Sequence, residues 1–161
     1  MPDSFGSTPL TMCMSKVTLA AGSTTTISNT GTTTFMIKGS MYTKTAMTNV
    51  ATPTTDIVTG AAFRPIVANQ GTVIQVGLDS GGNLRAAQGT IESLDVNGAF
   101  VRAPQFPGLP DTVATIGYII LKGGATLVAT WTFGTNNLSS VTGMTYTFHD
   151  AGMTPDRPAV A

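Results

Sequence analysis

The chain has 161 residues, 42% of them hydrophobic and only 10% charged, with eight basic residues balancing eight acidic ones. That length fits one domain, or one domain plus an arm. The charged share falls well below the roughly 25% of a typical soluble domain, so the surface is either coated with neutral hydroxyls or covered by partners.

From the N-terminus, residues 1–15 carry Pro2, Gly6, Pro9 and several hydroxyl residues, and read as an extended arm. Phe5, Leu10, Met12 and Met14 on that arm need cover, either from their own domain or from a neighbouring subunit. Residues 16–161 read as a single β domain. In KVTLA, Val17 and Leu19 alternate with Thr18, and in TTTFMIKG, Phe35 and Ile37 share a face. MYTKTAMTNVA, 41–51, admits one short turn of helix, weakened by its β-branched residues. ATPTTDIVTGAAFRP, 51–65, reads as a long ordered loop, a kind of segment that usually makes contacts.

Further along, TVIQVGLD places Ile74, Val76 and Leu78 on one face and Gln75 on the other. DSGGN, 79–83, between two strand patterns, reads as a hairpin turn. TLVATWTFG aligns Leu127, Ala129, Trp131 and Phe133, and VTGMTYTF aligns Met144, Tyr146 and Phe148 against threonines. Period-two alternation of this kind marks antiparallel strands buried on one face. TIGYIILK is apolar on both faces and belongs at the centre of a sheet. The expected fold is therefore all-β, an antiparallel β-sandwich or jelly-roll-like barrel with an extended N-terminal arm.

Before that central strand runs PQFPGLP, with Pro104, Pro107 and Pro110 at intervals of three. Each proline fixes φ and restrains its predecessor, so the segment is a semi-rigid, polyproline-like ramp. Phe106 and Leu109 ride on it, either capping the open end of the sandwich or forming a ridge that docks on a partner. Edge strands pose a second question. Lysines and bulges usually keep edges from pairing with other chains, and this chain has only four lysines. With charge so low, edges covered by assembly are expected.

The residues of chemistry are few. His149 is the one histidine, Glu92 the one glutamate and Cys13 the one cysteine. His149 adjoins Asp150, but neighbours on a strand point to opposite faces, so a Ser-His-Asp arrangement is not expected. One Cys and one His do not make a zinc site, and DSGGN lacks the carboxylates of a calcium loop. Trp131 reads as core. Lys16, Lys38, Lys44, Arg64, Arg85, Arg102, Lys122 and Arg157 are scattered, which argues against nucleic acid as the ligand. No apolar run reaches the length of a membrane span, and MPDSFGSTPL lacks the pattern of a signal peptide. The expectation is a non-enzymatic protein with no cofactor or metal.

Five segments occur in an order that resembles a group of tailed-bacteriophage virion proteins. They are GSMYTKTAM, ATPTTDIVTGAAFRPI, VGLDSGGNLRAAQG, PQFPGLPDTVATIGYIILKGG and FGTNNLSS, within residues 36–140. The resemblance implies a head-associated structural protein such as a capsid decoration (cement) protein. Such a protein is made in the host cytoplasm, sits on the capsid exterior of the virion, and has the major capsid protein and copies of itself (dimer or trimer) as partners. The first contact candidates are Phe5, Leu10, Met12 and Met14, followed by Phe106 and Leu109. The alternative is a tail or head-fibre component that recognises a host-surface glycan or receptor. A hydrolase on a β-scaffold comes third, opposed by the single histidine and glutamate.

Overall fold

The computed structural model describes residues 9–159. Eleven strands follow in order among them: β1 (Met12–Cys13), β2 (Leu19–Ala21), β3 (Thr26–Asn29), β4 (Thr33–Ile37), β5 (Ser40–Lys44), β6 (Met47–Ala51), β7 (Gln70–Asp79), β8 (Leu84–Gln88), β9 (Glu92–Ser93), β10 (Val113–Gly123) and β11 (Met144–Asp150). They form three antiparallel sheets, ordered β1-β4-β5, β2-β3-β6 and β11-β10-β7-β8, with β9 also on β7. The fold is all-β and sandwich-like, with no helix among the described residues.

The central sheet organises the molecule. Ile74 stands opposite Ile119 and Leu78 opposite Ala114 on one face. Together with Phe35, Ile37, Ile27 and Met47 from the two small sheets, they form the main core. On the other face, Val73 lies opposite Ile120 and Gln75 opposite Tyr118. The ramp and the C-terminal segment cover this second face. Phe106 meets Tyr118 edge to face at 5.0 Å, and Thr154 accepts a hydrogen bond from the Gln75 amide. The main-chain amide of Ala159 donates to the Tyr118 hydroxyl (3.0 Å). Residues 71–78 are therefore buried on both faces. This corrects the expectation of a half-buried strand there. Gln75 points away from Ile74 as expected, but into a covered layer rather than into water.

The ramp thus lies across a sheet face instead of capping a sandwich end. Two other expectations change. Residues 41–51 contain no helical turn: they supply most of β5 and all of β6, as their β-branched side chains favour. Residues 127–133 keep buried Leu127, Trp131 and Phe133 but join no sheet. Their one ladder contact is an isolated bridge between Trp131 and Ile66. The hairpin at 79–83 forms as read, because the Asp79 carboxylate accepts from the main-chain amides of Gly81 and Asn83 at 2.9 Å each and closes the turn from inside.

Candidate docking surface

The sheet β1-β4-β5 turns one face to the core and the other outward. Phe35 stacks on Tyr42 at 5.7 Å on the inner side, and Cys13, opposite Phe35, is buried with them. The alternate positions face out. Met12 stands opposite Met36, and Met36 opposite Met41, so three methionines cross the three strands in one row. Leu10 and Met14 lie two residues either side of Met12, just beyond the strand, and the parity of their main-chain bonds to Gly39 and Thr34 places them on the same face. Leu10 is 49%, Met14 52% and Met41 63% exposed; Met12 and Met36 are half-buried.

Main-chain bonds tie this face to the turn, to β4 and to the C-terminal segment. The Gly39 amide donates to the Leu10 carbonyl (3.1 Å), that of Met14 to the Thr34 carbonyl (2.9 Å), and that of Cys13 to the Gly152 carbonyl (2.9 Å). The arm's described end is therefore woven into its own domain, while Leu10 and Met14 point outward from it. The β4–β5 hairpin has a two-residue turn, Lys38–Gly39, with φ of 50° and 81°. Two successive positive values make a type I′ turn, whose twist matches the flanking strands. At this tip Lys38 pairs with Asp111 (3.1 Å), and the Thr11 hydroxyl donates to the Asp111 carbonyl (2.8 Å), tying the end of the ramp to the same corner.

Of the six contact candidates, the structure brings Leu10, Met12 and Met14 together. Phe5 lies outside the described residues. Phe106 and Leu109 sit elsewhere, half-buried on the second face of the central sheet. Leu109 lines a cavity of about 330 Å³ with Thr11, Pro110 and Met153. Sequence reasoning missed Met36 and Met41. The signal was present in FMIKGSMY: with Lys-Gly read as a two-residue turn, Met36 falls opposite Met41.

An exposed apolar side chain is ordinary when it stands singly, as Val96 and Val128 do on their loops. Here three exposed ones, Leu10, Met14 and Met41, gather around the half-buried Met12 and Met36, which makes this face the candidate docking surface. Unbranched, polarisable methionines adapt to irregular partner surfaces, which suits them to such a role.

No family model matches this chain, and no curated protein or solved structure matches it.

The residues of chemistry lie apart from this surface. The Asp150 carboxylate accepts from the Leu19 amide (2.9 Å), whereas the His149 ring stacks on Tyr118 at 4.8 Å. The two sequence neighbours thus serve different faces. His149 Nε2 is buried without a hydrogen-bond partner among the described residues. Asp79 is shared between its turn and Arg85, whose guanidinium lies 2.8 Å away. Burial raises the Asp79 pKa, but the Asn83 and Arg85 hydrogen bonds outweigh it and hold the carboxyl below its usual value. The hydrogen bond from Arg102, helped by Thr90, likewise lowers Glu92. Both acids are engaged in tying loops to strands. No group of three or more His, Cys, Asp or Glu able to hold a metal occurs among the described residues.

Proposed function

We propose that this protein is a non-enzymatic structural component of a bacteriophage virion, a decoration protein that binds the outside of the capsid and stabilises the shell. The observation that carries this reading is the outer face of Leu10, Met12, Met14, Met36 and Met41 on a protein with only 10% charged residues. Such a face works through contact area. At about 25 cal/mol per Å² of apolar surface, a modest patch repeated over a lattice stabilises a shell without any strong single site. The resemblance of the segment order to that of phage virion proteins points the same way.

The alternative, recognition of a host glycan, calls for aromatic rings presented on a concave surface. Trp131 is 2% and Tyr118 5% exposed, so these rings serve packing.

The test is copy number in purified virions, measured by quantitative mass spectrometry against the major capsid protein. Hundreds of copies in a simple ratio to the capsid subunit support a shell protein. A handful, in threes, sixes or twelves, overturns that reading in favour of the tail or a fibre.

A further inference from the structure

The hydrogen-bonding phase of the β4–β5 hairpin determines what its open edge offers. Ile37 and Ser40 flank the two-residue turn, so they form a hydrogen-bonded pair, and the pairs beyond alternate. Ser40, Tyr42 and Lys44 point their main chain at β4, and Met41 and Thr43 point theirs away. Thr34 confirms the phase from the other side. It stands opposite Thr43, yet its carbonyl accepts from Met14 and Ser15 on the β1 side. Among the described residues, no main-chain group pairs with the outer edge at Met41 and Thr43.

Other edges are dealt with differently. The loop before β7 closes the outer edge of β8, with the Ile57 amide donating to the Ala86 carbonyl (2.9 Å) and that of Gln88 to the Asp56 carboxylate (2.7 Å). β6 meets β3 through a register shift, with Asn49 at φ 50°. The outer edge of β11 is open at Tyr146 and Phe148, but these two side chains are half-buried against the core, and the exposed ones beside them are threonines. Pairing there covers little apolar surface. β5 has no proline, no bulge and one charge, Lys44 at its end. It is an edge without the usual protection, carrying a methionine that is 63% exposed.

We propose that a second copy of this chain pairs with β5 along this edge, antiparallel and about a two-fold axis through Tyr42. In that register Met41 stands opposite Thr43 of the second copy, and Ser40 opposite its Lys44. Each outward amide and carbonyl finds a partner, and no like charges oppose one another. The β1-β4-β5 sheets of the two copies become one of six strands, and the rows Met12-Met36-Met41 of both copies join across the axis into one apolar face. A second copy fits because the strand is self-complementary. This pairing concerns the free protein and stands apart from the shell reading.

The test uses the full chain. Sedimentation equilibrium over a concentration series gives a mass twice 16.5 kDa. The variants Met41→Lys/Thr43→Lys and Met41→Glu/Thr43→Glu each place like charges directly opposite, and each self-associates at least about tenfold more weakly. Mixed in equal amounts, they restore the doubled mass. A wild-type monomer throughout, a trimer, variants that dimerise like wild type, or a mixture that stays monomeric would each overturn the proposal. Hydrogen exchange on the wild-type protein makes the test independent of whether the variants fold. Protection of the Met41 and Thr43 amides rises with protein concentration. Concentration-dependent protection at Tyr146 and Phe148 instead would place the contact on β11, and concentration-independent protection at Met41 would mean that the chain covers its own edge. Either result overturns the pairing.

Discussion

Gly89 shows how closely the ramp is fitted. A Cβ there would lie 2.1 Å from the Gln105 carbonyl oxygen and 2.6 Å from Val73 Cγ1, and the first obstacle is main chain that cannot rotate aside. Gly89→Ala is expected to destabilise the protein by about 1–3 kcal/mol, read as a lower denaturant midpoint with an unchanged m-value. Asp79 and Glu92 make a second prediction at this scale. Both are held below their ordinary pKa values by their partners. A carboxyl lowered in the folded state contributes stability that is complete above its unfolded pKa and is lost as pH falls through the folded one. Stability contributed by the two acids should therefore be level at neutral pH and decline below about pH 4. Asp79→Asn should flatten that part of the curve in an acid titration of the unfolding midpoint.

β10 is the most deeply buried strand, with both faces and both edges occupied by protein. Ile119 is fully buried opposite Ile74, and Ile119→Ala should cost about 2–5 kcal/mol, measurable by chemical denaturation. The C-terminal segment acts on the second face of the same strand. It reaches Tyr118 through Ala159 and Gln75 through Thr154, and Ala151 packs on the small cluster of Val73, Tyr118 and Ile120. Ending the chain after Asp150 should uncover that cluster and leave Gln75 with fewer partners. The expected outcome is a lower melting temperature with greater binding of a hydrophobic dye. An unchanged melting temperature would mean that the segment lies on the sheet without stabilising it.

At the scale of the whole molecule, low charge and the Met face are the two features on which the shell reading rests. Leu10 and Met14 lie on that face on the far side of β4 from the β5 edge, so substituting them tests the shell reading without touching the proposed pairing edge. The double substitution Leu10→Ser/Met14→Ser should leave the fold intact by circular dichroism and weaken capsid binding by about tenfold or more, since two half-exposed apolar side chains lose their contribution. Occupancy equal to wild type on capsids stripped of the protein would remove the face from the shell reading.

The strands β4, β7, β10 and β11 and the Asp79–Asn83 turn were legible in the sequence. Alternation, branching and turn residues are local properties that the chain carries wherever it sits. Leu10, Met12 and Met14 stood out for the same reason, as apolar residues on a segment whose Pro, Gly and hydroxyl residues mark it as an arm. Tertiary structure decided what lies opposite what. Thr-rich 41–51 became parts of two strands because two different sheets had places for them, and the alternating 127–133 stayed out of any sheet although its large side chains are buried. The covered second face of β7, with Gln75 inside it, depends on segments more than thirty residues away in sequence. The Met face is the same kind of result. Met12, Met36 and Met41 are separated along the chain and meet only through cross-strand register, which is set by a two-residue turn and by which face of the sheet the core claims.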